Sequence, residues 1–453
     1  MKQNHSITSN DSFDHVSEEL NKISSSMCLA KWNEVTIHFH QGVTHSCHHN
    51  PTHLIVKKNL LDNPSGLHNT DIKLKHRRQM LNGRQPNDCN YCWRVENSGN
   101  PISDRILKSS YQENWPFFSE IVDSILGEKY WPRNMEVSFS STCQFKCSYC
   151  SANFSSKWQS EIDEHGRYFF GKNNLKFPII NEDENDYIKT FWNWWPDLRK
   201  HLRTFRITGG EPLLSKNTFR LLKEIEANPL PELNLAVNSN LGVSGKPFED
   251  FIDHIKKLTS DKSVKQFTVF TSIDSFGAQA EYIRHGLNLK IFIANIERLL
   301  SECPKVKLIF MVTFNALSPF QFHDFLDYYE NLKEKYSNDE LFFRIGIDIN
   351  YLRDPIQLSL PVLGTKASTL CQSIVDRMTA TLKKNQNARI DLAYTSNEIE
   401  KARHILQQSQ IKWNYLYLKL MQKRFLFFFR QHDRRRGTNL FSTFPELKSI
   451  LKN

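Results

Sequence analysis

Six strand-like stretches alternate with amphipathic helical stretches between residue 134 and about residue 352. The strand-like stretches are MEVSFS, TFRITGG, LNLAVNSN, QFTVFTSID, KVKLIFMVTFN and FFRIGIDINYL. Parallel strands need a long crossover that is usually a helix, so the alternation predicts a parallel sheet with right-handed crossovers. An open doubly wound sheet and a partial barrel both fit, and in both the functional residues lie at the carboxyl ends of the strands.

Three cysteines follow the first of these strands, in the stretch STCQFKCSYC. Cys143, Cys147 and Cys150 have the spacing C-x3-C-x2-C. Soft thiolates at this density favour zinc or an iron-sulfur cluster. A closed tetrahedral site uses four ligands, so three leave one metal position open. The loop therefore predicts a metal centre with a free coordination position.

The second strand runs into the stretch RITGGEPLL. Gly209 and Gly210 allow the backbone to approach a ligand closely, and Glu211 places a carboxylate suited to an ammonium group beside it. Taken alone, the stretch fits equally well an ordinary strand-to-helix turn in which Pro212 begins the helix. Because it follows a three-cysteine loop in the same series of strands and helices, we favour the ligand-binding turn.

On the C-x3-C-x-aromatic-C loop and the GGEP turn, residues 134 to about 350 resemble the radical S-adenosylmethionine (SAM) enzymes. The whole-chain pattern, with THSCHH, CNYCW, FWNWWP and DRRRGTNLFSTFPEL, is similar to uncharacterised twitch-domain radical SAM proteins. The resemblance implies an α/β fold: a partial (βα)6 TIM-like barrel over residues 133–355, with an N-terminal cysteine-rich module (28–132) and a helical C-terminal extension (356–453).

The same resemblance assigns roles to individual residues. It implies that Cys143, Cys147 and Cys150 hold a 4Fe-4S cluster whose fourth iron takes the amino and carboxylate groups of SAM. Tyr149 matches the aromatic residue near the adenine. The segment that meets the methionine amino group comprises Gly209, Gly210 and Glu211, and the polar residues matching contacts to the SAM carboxylate or ribose are Ser272, Asp274 and Asn315. Any one of these last three also fits a turn-capping residue.

The activity that the resemblance implies is radical chemistry. Reductive cleavage of SAM forms a 5'-deoxyadenosyl radical, which abstracts hydrogen from a substrate held away from water. We expect an electron donor such as flavodoxin or ferredoxin. As substrate we favour a peptide or protein side chain, and a nucleotide or sugar small molecule is the alternative.

Four further cysteines lie in the N-terminal module. Cys28, Cys47, Cys89 and Cys92 form a full ligand set for structural zinc or an auxiliary 4Fe-4S cluster. Related enzymes with auxiliary clusters carry their extra cysteines after the core, so this chain departs from the usual order. The alternative is that Cys28 and Cys47 are core residues and only the C-x2-C pair binds metal. We expect the module to be held together by something other than a large core.

The two ends of the chain differ in character. Residues 1–27 are polar, and we expect a flexible N-terminus with at most a short helix in VSEELNKI. Near the C-terminus, KRFLFFFRQHDRRRG fits a helix packed on the barrel and ended by Gly437. A surface for nucleic acid or an anionic membrane is the alternative for this stretch.

Composition narrows the setting of the chain. Its 453 residues include nine cysteines, and no stretch approaches the roughly 18 apolar residues of a membrane-spanning helix. We therefore expect a cytoplasmic protein with no membrane partner. The net charge of +10 suits an anionic partner or simply a solvated basic surface. A zinc-stabilised nucleic-acid-binding protein is the rival class, but it leaves RITGGEPLL unexplained, so we do not expect nucleic acid.

Overall fold

A computed structural model describes residues 10–100, 102–124, 130–171, 175, 177–336, 343–385 and 394–451. The chain divides into two compact units. The first unit comprises Met1–Ser140, Pro178–Thr208 and Leu230–Leu235. The second unit comprises Ser141–Phe177, Gly209–Pro229 and Ala236–Asn453.

Nine strands form the sheet. They are β1 Glu34–His38, β2 Val43–His45, β3 His53–Leu54, β4 Asn134–Ser138, β5 Thr204–Thr208, β6 Leu230–Ser239, β7 Val264–Ser272, β8 Lys307–Phe314 and β9 Ile345–Tyr351. Their order in the sheet is β3-β2-β1-β4-β5-β6-β7-β8-β9. All six predicted strands form, as β4 to β9, and the predicted α/β class is confirmed. These six stand in chain order, without the reversal of a doubly wound sheet.

Helices connect the strands and make up the C-terminal part. They are α1 Asn10–Ile23, α2 Ala30–Asn33, α3 Asp71–Leu81, α4 Asn90–Asn97, α5 Asp104–Ser109, α6 Phe118–Asp123, α7 Ser156–His165, α8 Asp186–Leu198, α9 Lys216–Ala227, α10 Lys246–Ser260, α11 Gly277–Ile283, α12 Leu289–Glu302, α13 Phe322–Tyr336, α14 Lys366–Asn385, α15 Ser396–Ser409, α16 Tyr415–Arg436, α17 Leu440–Thr443 and α18 Leu447–Leu451. The predicted helical C-terminal extension is confirmed. Within the described residues, no helix is both long enough and apolar enough to cross a membrane.

The N-terminal region differs from the sequence prediction in its core. Strand β1 pairs in parallel with β4, which pairs in parallel with β5, so this region adds strands to the sheet. An apolar cluster that includes Trp32, Met80 and Trp93 packs within the first unit. The expectation of a module without a large core was therefore wrong. The β1–β4 pairing joins residues about 100 positions apart, and no local sequence pattern reveals such a partner.

Helix α1 also differs from the prediction. It extends over Asn10–Ile23 rather than over a short helix in VSEELNKI alone. Val16 and Leu20 are buried in the apolar cluster of the first unit, Phe13 and Ile23 pack against it, and this packing stabilises a helix whose other residues are mostly polar. The first nine residues lie outside the described part of the chain.

In the second unit, the two faces of the β7–β8–β9 sheet differ in burial. The three strands pair in parallel, with Phe270 opposite Ile309 and Met311 opposite Asp348. Side chains alternate along each strand. One face is buried, and the other, which carries these four residues, is mostly half-buried. This half-open face reaches Ser272 at the carboxyl edge.

Helix α16 packs its aromatic face into the second unit. Phe425, Phe428 and Phe429 are buried in one cluster with Trp158 of α7 and Tyr282 of α11. The helix ends at Gly437, whose φ of 64° is left-handed, as the sequence predicted. A buried helix, rather than a free basic surface, is therefore the structure of the FLFFF stretch.

Candidate functional site

The cysteine loop joins β4 to α7 and is held along its length by hydrogen bonds. The backbone N–H of Lys146 donates to the carbonyl of His285 at 2.9 Å, and that of Ser148 donates to the carbonyl of Ile283 at 2.8 Å. Inside the loop, the Ser155 hydroxyl donates to a backbone carbonyl at 2.6 Å. The loop is therefore fixed against the end of α11 by its own backbone.

The thiols of this loop lie in a low-dielectric environment. Cys143 and Cys147 are buried, and Cys150 is half-buried. The Phe145 N–H donates to Cys143 Sγ at 3.4 Å, and Asn240 Nδ2 lies 3.9 Å from the same sulfur. Burial raises the pKa of Cys143 and of Cys147. Without a metal, Cys143 and Cys147 therefore keep their protons, and metal binding releases them.

The spacing of the three sulfurs discriminates between metals. Within the part of the chain that the structure describes, only His48, His49 and Asp104 bring three potential ligand atoms within 4.8 Å of one another. At least one pair of the three loop sulfurs is therefore farther apart than that. A tetrahedral zinc with Zn–S bonds of about 2.3 Å would hold them roughly 3.8 Å apart. The donor set and its spread fit a multi-iron cluster better than a single zinc.

The GGEP turn packs against the backbone of the cysteine loop. A Cβ at Gly210 would lie 2.3 Å from the carbonyl oxygen of Thr142. The next residue, Glu211, donates its backbone N–H to that same carbonyl at 2.7 Å. On the other side, Gly286 has a φ of +108°, and a Cβ there would lie 2.8 Å from the carbonyl oxygen of Gln144. Both close approaches require glycine.

The side chain of Glu211 is buried within a ring of donors. Its carboxylate accepts hydrogen bonds from the Ser239 hydroxyl at 2.7 Å, the Asn240 N–H at 2.7 Å and the Leu213 N–H at 3.1 Å. Burial outweighs these bonds and raises the pKa of Glu211 to about 7. A nearby cation would shift this balance toward the charged form.

Tyr149 and Asp274, both predicted site residues, are in direct contact. The Tyr149 hydroxyl donates to Asp274 Oδ2 at 2.7 Å, and Arg284 Nη1 donates to the Tyr149 hydroxyl at 2.6 Å. The Thr313 N–H donates to Asp274 Oδ1 at 2.8 Å. Burial raises the pKa of Asp274, and Arg284 opposes that rise. Arg284 was not predicted as a site residue, because a single arginine at the end of a short helix carries no sequence pattern.

The other two predicted polar residues have different surroundings. Ser272 is half-buried at the end of β7. Asn315 closes the turn after β8, since its Nδ2 donates to the Thr313 carbonyl at 2.9 Å and its Oδ1 accepts from the Leu317 N–H at 2.9 Å. This is the turn-capping geometry left open above. A cofactor role for either residue stays a prediction.

A buried ion-pair network behind the loop was likewise not predicted from the sequence. Arg436, at the end of α16, donates to the Lys146 carbonyl at 2.6 Å and to Glu161 Oε2 at 3.0 Å. Lys146 and Tyr168 also bind Glu161. Burial opposes the charge of Glu161, but these hydrogen bonds outweigh it and lower its pKa to about 2. The C-terminal helix thus fixes the loop between Cys143 and Cys147.

In the first unit, the structure brings the N-terminal cysteines together. The four predicted ligands line one cavity: Cys28, Cys47, Cys89 and Cys92. The remaining two cysteines, Cys303 and Cys371, are buried in the second unit.

Two curated relatives share sequence with part of this chain, and no family model matches it. They are the GTP 3',8-cyclases of Sinorhizobium medicae (strain WSM419) and Rhizobium meliloti (strain 1021), each 33% identical over 110 residues. The similarity covers 23% of this chain and 26% of each relative, so the chain spans about a quarter of the relatives it matches.

Solved structures show a weak overall likeness. Streptococcus suis SuiB bound to the precursor peptide SuiA has a TM-score of 0.38 and 11% identity, covering 78% of this chain and 70% of SuiB. SuiB bound to S-adenosylmethionine has a TM-score of 0.35 and 13% identity, covering 79% and 70%. At these scores the likeness carries no argument about substrate or site.

Proposed function

We propose that this chain, which its similarity to GTP 3',8-cyclases supports as a radical SAM superfamily enzyme, cleaves SAM reductively at a 4Fe-4S cluster held by Cys143, Cys147 and Cys150. One observation carries the proposal: the three-thiol loop, in which Cys143 and Cys147 are buried, is packed directly on the GGEP turn. A three-ligand site with an adjoining glycine turn and a buried carboxylate fits an amino acid bound to the open metal position.

The residues of the chain would divide the work of binding. The cluster, when bound, supplies the electron that breaks the C5'–S bond of SAM and releases the 5'-deoxyadenosyl radical. Glu211 and the backbone of Gly209 and Gly210 would receive the amino group. The Tyr149 ring would pack near the adenine, and Asp274 with Arg284 would hold that ring in place. Ser272 and Asn315 remain candidates for the carboxylate and ribose contacts.

For the substrate we propose a peptide or protein side chain, bound over the half-open face of β7, β8 and β9. The similarity to GTP 3',8-cyclases supports a second candidate, a nucleotide or sugar. The electron would come from flavodoxin or ferredoxin, and the reduced thiols fit the cytoplasm.

The test is 5'-deoxyadenosine formation under anaerobic conditions with dithionite as reductant. We expect product from the reconstituted protein and none from the Cys143/Cys147/Cys150→Ala variant. The matched control is Cys303→Ala, which removes a buried cysteine from the same unit outside the site. Cleavage that persists in the triple variant would rule out the proposed cluster ligands.

The two substrate classes can be separated by hydrogen abstraction. Deuterated peptides and deuterated nucleotides are offered in parallel, and deuterium in 5'-deoxyadenosine is measured by mass spectrometry. Transfer from a peptide supports the first candidate, and transfer from a nucleotide supports the second. If SAM is cleaved in the presence of both panels but no deuterium reaches 5'-deoxyadenosine, neither panel contains the substrate.

A further inference from the structure

We infer that Cys28, Cys47, Cys89 and Cys92 together hold a second 4Fe-4S cluster, with all four iron corners bound by protein. The four thiols line one cavity in the first unit. They come from three separate segments of the chain, with Cys89 and Cys92 together at the start of α4, so the cavity is a product of the fold and not of local sequence spacing. The inference is independent of SAM cleavage, because it concerns other residues.

Local structure aims the thiols inward. Cys89 is the N-cap of α4 and Cys92 lies in its first turn, three residues on, so both face the same side. Asn50 links this pair to the Cys47 loop, because its Nδ2 donates to the Asp88 carbonyl at 2.8 Å and lies 3.5 Å from Cys89 Sγ. The partial positive charge at the start of α4 favours thiolates there.

Buried cations surround this cavity. Lys31 is 4% exposed, lines the cavity, and has Asn50 Oδ1 at 3.5 Å as its polar neighbour. Arg105 and Lys108 also line the cavity and pair with Glu96 and Glu34. Lys31 makes no ion pair with a carboxylate among the described residues. Buried charges are normally paired, so Lys31 indicates an anionic occupant, which four thiolates around a cluster provide.

The spacing of the thiols favours a cluster over zinc. No three of the four sulfurs, all within the described part of the chain, lie within 4.8 Å of one another. A zinc bound by cysteines would need sulfurs roughly 3.8 Å apart. The three sulfurs of the Cys143 loop likewise do not all lie within 4.8 Å of one another. A rival ion site does exist beside the cavity, where His49 Nε2 lies 2.7 Å from Asp104 Oδ2 with His48 close by.

Full ligation determines what such a cluster does. With four thiolates no iron corner is free, so the cluster does not bind substrate or SAM. It stabilises the first unit and is able to carry one electron. If the same four cysteines bound zinc, the metal would stabilise the first unit but would not carry an electron.

The test compares iron, acid-labile sulfide and zinc per chain in anaerobically purified full-length variants. We expect about eight iron atoms per chain in the unaltered protein and in the Cys371→Ser variant, and about four per chain in the Cys143/Cys147/Cys150→Ala variant. Cys28/Cys47/Cys89/Cys92→Ser should likewise keep about four. If that variant does not fold, Cys92→Ser and the low-temperature EPR spectrum of the reduced triple-alanine protein replace it.

Three results would overturn the inference. One zinc and no iron in the triple-alanine variant would make the module a zinc site. Metal lost on His48→Ala and His49→Ala but kept in Cys92→Ser would assign it to the histidine set. About four iron in the unaltered protein, with SAM cleavage intact, would leave the proposed function standing and remove the second cluster.

Discussion

The two groups of cysteines reach a similar environment by different routes. Cys143, Cys147 and Cys150 lie within eight residues of one loop, whereas Cys28 to Cys92 span 65 residues and several loops. Arginine cations accompany the loop thiols, but each is paired: Arg284 with Asp274 and Arg436 with Glu161. In the N-terminal cavity, Lys31 has no such carboxylate partner among the described residues.

The two cysteine groups differ in whether a small molecule can bind beside the thiols. Three ligands with a glycine turn and a buried carboxylate leave room for a small molecule, and paired charges keep the site stable before that molecule arrives. On the proposals above, four ligands beside an unpaired buried lysine would leave no iron corner free and would depend on the cluster itself for charge balance. Sulfur would then serve small-molecule binding in one region and closure in the other.

The largest expected effect is that of Arg436→Ala. Removing this fully buried guanidinium leaves Glu161 with a weakened set of partners, and breaking such a pair typically costs about 3–5 kcal/mol. We expect lower stability in urea unfolding and loss of the loop's iron, while the N-terminal iron stays. Arg434→Ala, an exposed residue on the same turn, is the control. Equal iron in both variants would show that α16 does not position the loop.

The pH dependence of the apo-protein should change in Glu211→Gln. Because the folded pKa of Glu211 is raised from 4.5 to about 7, its stabilising protonated form is lost as the pH rises through 7. As the pH rises from about 5 to 8, the free energy of unfolding of the variant should increase by about 3 kcal/mol relative to that of the wild type. Urea unfolding of the two proteins across this range measures the difference. A constant difference would mean that the carboxyl titrates normally.

Gly210→Ala should damage only the loop cluster. The new Cβ would lie 2.3 Å from a backbone carbonyl that has no freedom to rotate away, and overpacking of this kind costs about 1–3 kcal/mol. We expect a lower unfolding midpoint and reduced iron in the loop. Gly66→Ala is the control, because its nearest neighbour is the end of the flexible Leu60 side chain. Iron lost equally from both cysteine groups would contradict their independence.

The smallest effect is expected for Tyr149→Phe. This change removes the hydroxyl between Asp274 and Arg284 but keeps the ring, and a lost hydrogen bond of this type costs about 1 kcal/mol. Tyr149→Ala removes the ring as well and should weaken SAM binding further. Calorimetric titration of the reconstituted variants with SAM measures both. Equal affinities in the two variants would show that the ring does not contact the cofactor.

Much of the central fold was visible in the sequence. Strand β8 alternates buried and half-buried side chains from Lys307 to Phe314, and α16 ends at a glycine after a basic turn. Such signals are local, since they depend on periodicity and on the conformational freedom of single residues. The length of α1 and the pairing of β1 with β4 were not visible, because both depend on packing between distant segments.

The candidate site divides in the same way. Spacing alone singled out Cys143, Cys147, Cys150 and the GGEP turn. It did not show Arg284 or Arg436, whose roles arise from contacts across 135 and 290 positions of the chain. Polar residues after strands were predicted as one class, but Asn315 and Asp274 have different hydrogen-bond partners, which only the tertiary structure distinguishes.

By itself the sequence determined the order of strands and helices, the thiols available in each region and the resemblance they carry, because these follow from nearest neighbours along the chain. The tertiary structure alone decided that four scattered cysteines share one cavity and that α16 holds the cysteine loop. Both arrangements depend on burial and on contacts between residues far apart in the chain, and no short stretch of sequence determines either of these.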